Sequence, residues 1–438
     1  MNTGDDSHPP AEALTWLVTE VAEVTQIPRD RIDVEADLEE LGLDSVMIAV
    51  LNKRVEKQLK KRDPTLFYQY RSLKSMAGHL SEKYSELMKN SAPNSGVVDG
   101  RKTGANIEKH KTMGLSNSDI AIIGLSGRYP QAENLEEFWE NLRHKQDCIV
   151  EIPQERFDYR RYFSEKKGQA NSIYCKWGGF IKDVENFDAG FFNLSRKDVL
   201  FMDPQERLFL ETAWQCLEES GLIHPNWQKQ ARDVGVFAGA SFNNYQLLMA
   251  EAMAGAESYS ANSQTFSIAN RVSYFFNFTG PSVTLDTACS SSLFAVHQAC
   301  ESLRSAECAM ALAGGVNLSL HPSKYITLCA SGFAASDGRC HAFAAGGDGY
   351  VPSEGVGVVL LKPYLQARKD GDNIFAVIRA SAVSHDGKTQ GYTVPNPVSQ
   401  SKVIRSVLDK AQVNPRSISY IETHGTGTAL GDPIEIQG

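Results

Sequence analysis

PSVTLDTACSSSLFAVHQACESL, residues 281–303, is the stretch that decides the fold. It opens as an apolar strand, crosses Asp286, Thr287 and Ala288 to reach Cys289, and then opens a helix with the small residues Ser290, Ser291 and Ser292. The pattern predicts a strand turning directly into a helix. A cysteine at such a turn stands where the positive helix end stabilises a thiolate and free amides can bind an oxyanion. Cys289 is therefore the candidate nucleophile. Cys148, Cys175, Cys216, Cys300, Cys308, Cys329 and Cys340 read as small buried hydrophobes. They are scattered singly, with no Cys-x-x-Cys pair and no paired His spacing, so no disulfide framework or metal site is expected. Reduced thiols and a cytoplasmic location follow as expectations.

Outward from this stretch, strand candidates alternate with helices from Asp119 onward, which predicts an α/β domain. IAIIGLSGRYP at 120–130 reads as a short strand running into a glycine turn. VGVFAG near Gly235, AMALAGGV near Ala313, GVGVVLLK near Val358, IFAVIRASAV near Val377 and ISYIETH near Ile421 read as later strands. Several are continuous apolar runs, as expected where both faces are covered. Between about Lys89 and Ser118 the chain is polar and rich in Gly, Ser and Asn, so it cannot build a core and reads as a flexible linker. From Leu14 to Tyr84 the periodicity is helical: Leu14, Leu17, Val18 and Val21 mark one stripe, and Met47, Val50, Leu51, Val55 and Leu59 another, both expected to be core.

The 438 residues are more than one ordinary domain needs, and 42% hydrophobic with 22% charged residues is a soluble, globular composition. No apolar run is long enough to span a membrane. The start MNTGDDSHPP lacks the basic and apolar regions of a secretory signal, and Met1 suggests a genuine amino terminus. A net charge of -9 excludes a general attraction to nucleic acid or anionic lipid, and the basic run Lys60, Lys61, Arg62 reads as a solvated helix end.

EELGLDSVMIAVL at 39–51 places Gly42, Leu43, Asp44 and Ser45 just before a helix. On position alone, Asp44 or Ser45 could simply be an N-cap. Leu-Gly-Leu-Asp-Ser within a four-helix unit of this size, however, is similar to the acyl carrier protein motif. The resemblance implies 4'-phosphopantetheine on Ser45, with Asp44 and Gly42 completing the element read by a phosphopantetheinyl transferase. Leu43 after Gly42 is closer to polyketide and fatty-acid carriers than to peptide-synthetase carriers. Glu35, Asp37, Glu39, Glu40 and Asp44 could form a docking surface for basic partners or merely a solvated loop.

Asp-Thr-Ala-Cys-Ser-Ser-Ser-Leu resembles the active-site signature of beta-ketoacyl synthases of the modular polyketide type, which makes Cys289 the acylated residue. Further motifs follow in family order: GLSGRYP, DPQERLFLETAW, FAASDGRCHAF, GYVPSEGVG and ETHGTGTALGDP. His424, at a strand end entering Gly-Thr-Gly-Thr, matches the first catalytic histidine of that family. A lone strand-end histidine would otherwise be structural. Thr426 and Thr428 match threonines that hydrogen-bond pantetheine amides, and Glu354 matches a supporting glutamate that pairs with a lysine further on. His297 lies on the Cys289 helix but about 12 Å along its axis, too far for direct help and so structural. His341 and His385 read as loop residues.

The resemblance implies an acyl carrier domain at 10–88, a linker at 89–118 and a ketosynthase at 119–438, with a thiolase-like layered αβαβα fold. The family continues past this point with a catalytic lysine, a second histidine and a closing Gly-Phe-Gly segment, so the domain is expected to be truncated, with an unpaired sheet edge and no activity as it stands. The implied activity is decarboxylative condensation of an acyl thioester with a malonyl thioester on carrier domains, in a homodimer when complete. VSHDGKTQGYTVPNP at 383–397 resembles ketosynthases served by a separate acyltransferase. A non-condensing acyl relay and a polyunsaturated fatty-acid synthase segment are the alternative readings.

Overall fold

The computed structural model describes residues 11–25, 27–36, 38, 41, 43, 45–59, 67, 70, 72–88, 118–223, 232–253, 263–389 and 391–438. Residues 89–117 of the expected linker and the basic run at 60–62 lie outside them.

The first unit is helical, with α1 (Ala11–Thr25), α2 (Ser45–Leu59) and α3 (Leu73–Met88). Leu17, Val21, Ile48, Leu51, Val55, Leu73, Met76 and Leu80 form its dry centre. Leu14 and Val18 are half-buried, as is Met47. Val50, expected in the core, is instead 42% exposed. The buried face of α2 is set by Ile48, Leu51 and Val55, and one residue before Leu51 is a turn of about 100° away from it. The Leu59 side chain lies outside the described residues. Arg54 of α2 reaches α1, donating to Glu20 at 2.9 Å and Glu23 at 2.8 Å.

In the second unit β1 (Ile120–Arg128) is followed by α4 (Leu135–Arg143), the short strands β2 (Val150–Glu151) and β3 (Trp177–Gly178), and helices α5 (Arg196–Phe201) and α6 (Pro204–Glu219). Next come β4 (Val234–Gly239), α7 (Tyr245–Met253), α8 (Phe266–Phe276), β5 (Ser282–Leu285) and α9 (Ser291–Arg304). The chain continues through β6 (Met310–Asn317), α10 (Pro322–Ala330), β7 (Gly355–Pro363), α11 (Tyr364–Asp370), β8 (Ala376–Ile378), α12 (Pro397–Ala411) and α13 (Gly431–Gln437). The main sheet has the order β5-β4-β6-β7-β1-β8. β4 is parallel to both β5 and β6, and the remaining pairs are antiparallel.

Side-chain alternation builds a layer on each face. Val234, Val236 and Ala238 of β4, Leu312 of β6 and Val356, Val358 and Leu360 of β7 point to the face covered by α6 and α8. Phe237, Ala311, Ala313 and Leu361 point the other way, against Ala295, Ala299 and Leu303 of α9. The described residues thus form an α, β, α stack.

Three strand readings change. The GLSG of β1 is not a turn; the strand runs on to Arg128 with an irregularity between Ile122 and Gly124. Gly124 is there for close packing, because a Cβ would come within 2.9 Å of the Cys216 carbonyl on α6. Of IFAVIRASAV only Ala376–Ile378 is strand, and ISYIET contains none. Tyr420 and Ile421 are 75% and 73% exposed. Extended chain becomes strand only with a partner for its amides and carbonyls, and among the described residues no strand lies beside 418–423.

Candidate functional site

Gly239 ends β4 and Gly315 lies near the end of β6, and both lie under the start of α9. A Cβ on Gly239 would fall 2.6 Å from the Ser291 carbonyl carbon, and one on Gly315 would fall 2.8 Å from Cβ of Ser292. With Ala311 and Ala313 beneath its body, α9 settles directly onto the sheet. Cys289 sits just ahead of it in a 3₁₀ turn, Ala288–Ser290.

The turn is sharp, and Ala288 takes a left-handed φ of 55°. A non-glycine residue there needs surroundings that hold it. Asp286 supplies one tie: its Oδ1 accepts from the Ala288 amide at 2.8 Å and from the Ser241 hydroxyl at 2.9 Å. Ser291 supplies another, accepting from the Thr287 amide at 2.9 Å and donating to the Ala288 carbonyl at 2.6 Å.

Cys289 is solvent-accessible. The fold brings His424 to it from the other end of the domain. A hydrogen bond with the His424 imidazole holds the thiol below its ordinary range, against burial, which raises it. The same bond raises His424, against desolvation. The two groups therefore favour the thiolate and imidazolium pair, the ionised form a nucleophilic cysteine needs. Tyr350 lies close by, its phenol pushed up to about 12 by burial and then by the Cys289 charge.

His424 is fixed through its backbone. Glu435 of α13 accepts from the His424 amide at 2.5 Å and from the Gly425 amide at 2.8 Å. Asp432, also on α13, accepts from Gly427 at 3.0 Å and Phe343 at 2.6 Å. Gly427 has a left-handed φ of 65°, and a Cβ there would overlap the Cys340 carbonyl. Thr426 and Thr428 bond to each other at 3.0 Å, and Thr428 accepts the Gly431 amide at the start of α13.

Glu354 is buried, and its described partners are an arginine and two backbone amides. Arg156 grips both carboxylate oxygens, and the amides of Ile181 and Ser319 fill their remaining positions at 2.9 Å each. All the described donors around this carboxylate come from earlier in the chain. His297 bonds to Ser381, His341 to Asp337 and His385 to the Gly387 amide, each a local structural contact. Among the described residues, no helix is long and apolar enough to cross a membrane.

In the first unit Ser45 is the opening residue of α2, directly after the buried Leu43 segment. A helix start welcomes a phosphate ester, because its free amides and dipole favour an anion. Gly42, Asp44, Asp37, Glu39 and Glu40 lie outside the described residues.

The sequence comparisons agree with this geometry. Residues 117–367 match the family described as beta-ketoacyl synthase, N-terminal domain, and residues 375–438 match its C-terminal domain. Residues 15–80 match the phosphopantetheine attachment site family. The chain belongs to the beta-ketoacyl synthase family, a class of condensing acyltransferases, here preceded by a phosphopantetheine-bearing carrier domain. Polyketide synthase PksL of Bacillus subtilis (strain 168) is 44% identical over 95% of this chain and 10% of its own length. Polyketide synthase ThaG of Burkholderia thailandensis is 43% identical over 95% of this chain and 8% of its own. The chain thus spans about a tenth of the curated relatives it matches. Among solved structures, the oxazolomycin ketosynthase domain OzmH KS7 of Streptomyces albus JA3453 superposes with a TM-score of 0.70 at 47% identity, covering 73% of this chain and 55% of that one. The ketosynthase from module 6 of the bacillaene synthase of Bacillus subtilis 168 gives 0.66 at 38% identity, covering 73% and 53%. The thiolase-like α/β ketosynthase fold is thereby shown.

Asp286, Ser241, Ser291, Glu435 and Asp432 hold the Cys289 turn and the His424 loop, and Arg156 holds Glu354; apart from the helix-opening place of Ser291, none has a role in the sequence analysis. Asp286, Ser291 and Asp432 stand inside quoted motifs, which was the available signal. Arg156 and Ser241 carried none.

Proposed function

We propose that the carrier domain, 10–88, bears its 4'-phosphopantetheine on Ser45 and is joined by a linker, 89–118, to a ketosynthase, 119–438, of a polyketide synthase module that condenses an acyl thioester with a malonyl thioester. The observation that carries this reading is the Cys289 and His424 pair, a thiol lowered by the imidazole that faces it. The arm on Ser45 supplies a long thiol on which an acyl group travels as a thioester.

The Cys289 thiolate attacks the carbonyl of an incoming acyl thioester. The new carbon–sulfur bond forms as the carrier sulfur leaves and takes a proton from the His424 imidazolium. His424 regains a proton from solvent; a malonyl thioester then loses carbon dioxide, and the electron pair of the broken carbon–carbon bond becomes an enolate steadied by hydrogen-bond donors, the reprotonated His424 among them. The enolate carbon attacks the Cys289 thioester, the carbon–carbon bond forms and Cys289 leaves as thiolate. Thr426 and Thr428, on the same loop as His424, are suited to bind the amides of the incoming arm. Glu354 supports the site by position only.

The implied partners are carrier-bound acyl and malonyl thioesters, a phosphopantetheinyl transferase, a separate acyltransferase, suggested by residues 383–397, and a second copy of the ketosynthase in a cytoplasmic homodimer. The test is intact mass spectrometry of the polypeptide continued past Gly438, treated with the transferase, an acyl thioester and a malonyl-loaded carrier. Arm on Ser45, acyl on Cys289 and a product two carbons longer are expected. Acylation without extension would make the module a relay, and no arm on Ser45 would remove the carrier assignment.

A further inference from the structure

Arg128 at the end of β1, Glu133, Phe191 and Phe192, and Glu211, Trp214 and Gln215 of α6 line an open pocket of about 350 Å³. None of these residues holds Cys289 or His424. One wall is aromatic: the Phe191 ring stands edge-on to Trp214, with centroids 4.7 Å apart and planes at 90°, and to Phe192 at 4.9 Å and 78°. The Arg128 guanidinium is already matched, bonding to Glu133 at 2.9 Å and to the Lys182 carbonyl at 3.0 Å. Glu211 is not matched. Among the described residues its carboxylate accepts no hydrogen bond and forms no ion pair.

A carboxylate and three aromatic rings lining one concave site make an arrangement that suits an organic cation. An anion would face Glu133 and Glu211 together, and an apolar group would bury a carboxylate with no partner. The volume is at the low end for ligand sites, enough for one long side chain and too small for a cofactor. The matched part is only 10% of the relative PksL, so such proteins hold ample further polypeptide to present one.

We propose that this cavity seats a lysine or arginine side chain presented by a polypeptide segment that packs on this face of the ketosynthase. The charge of Glu211 then sets the affinity. Burial pushes its carboxyl up to about 7, Arg128 of β1 and Arg207 of α6 pull it down, and Asp188 of the preceding loop pushes it up. Arg128 and Glu133, paired with each other, are the other charged groups lining the pocket. The cation binds the ionised form, so affinity should rise with pH.

The protein labelled with 5-fluorotryptophan reports occupancy through the fluorine signal of Trp214, identified by its loss in Trp214→Phe. N-acetyl-arginine amide is expected to shift that signal saturably, about tenfold more tightly at pH 8 than at pH 6, with N-acetyl-leucine amide and N-acetyl-glutamate amide silent. Glu211→Gln should weaken binding at least tenfold and remove the pH dependence. Equal response to the leucine compound, tighter binding at pH 6, or indifference to Glu211→Gln would overturn the proposal. Tighter binding of n-butylamine than of the arginine compound would assign the cavity to a free amine and overturn the polypeptide as its source. If Glu211→Gln fails to fold, the pH series on the unaltered protein decides.

Discussion

Arg156 and Glu354, 198 residues apart in the chain, meet in a two-point ion pair of 2.9 and 3.0 Å with almost no access to solvent. The same carboxylate binds the amides of Ile181 and Ser319, and Arg156 also donates to the Ile181 carbonyl at 2.6 Å. Removing one partner strands the other charge in the interior. Glu354→Ala is therefore expected to lose about 3–5 kcal/mol of stability, read as a lower urea midpoint, with little change in Cys289 reactivity among the molecules that remain folded.

The pH profile of Cys289 alkylation separates the two influences on its thiol. Hydrogen bonding to His424 lowers it, and burial alone would raise it. In the unaltered protein the half-point of iodoacetamide labelling, followed on the Cys289 peptide by mass spectrometry, should lie below that of a free cysteine. In His424→Ala both His424 contributions are gone and burial outweighs the one backbone hydrogen bond that still lowers the thiol, so the half-point should move up. An unmoved half-point would break the pair on which the proposed chemistry rests.

Gly239→Ala tests the floor beneath α9. The added methyl meets backbone of Ser291 and Ser292 at 2.6 to 2.8 Å, where no flexible side chain can yield. A loss of about 1–3 kcal/mol is expected from overpacking, together with a slower alkylation of Cys289 as the turn is displaced. Full stability with an unchanged rate would contradict the close approach.

Lys324 has a pH signature of its own. Its ammonium donates to Asn317 at 2.7 Å and to the Leu318 carbonyl at 3.0 Å, yet burial pushes it down to about 7 from 10.5, with Glu354 opposing. Between those two values the unfolded chain binds a proton that the folded one has released, so this group makes folding more favourable as pH rises through that window. Urea midpoints of the protein and of Lys324→Met should diverge from pH 7 to pH 10, the unaltered protein gaining. A constant difference would mean that the lysine stays charged when folded.

Cys289 was legible because the evidence for it is local: an apolar strand, small residues and a helix within one short stretch. His424 was reachable only through its resemblance to a family motif, since nothing in residues 418–424 says which distant turn they approach. Arg156, Ser241 and Glu435 were beyond reach for the same reason, being loop or helix-end residues whose partners are chosen by packing. The errors have physical causes too. Val50 satisfied a helical spacing that α2 realises with Ile48 instead, and ISYIET has the composition of a strand but no neighbour among the described residues to make it one.

The double grip of Glu435 on the His424 and Gly425 amides ties the backbone that carries the imidazole to α13. The acidity of the thiol thus depends on an imidazole whose own backbone is anchored by a carboxylate of a seven-residue helix, so the site is completed by a part of the chain 146 residues beyond Cys289.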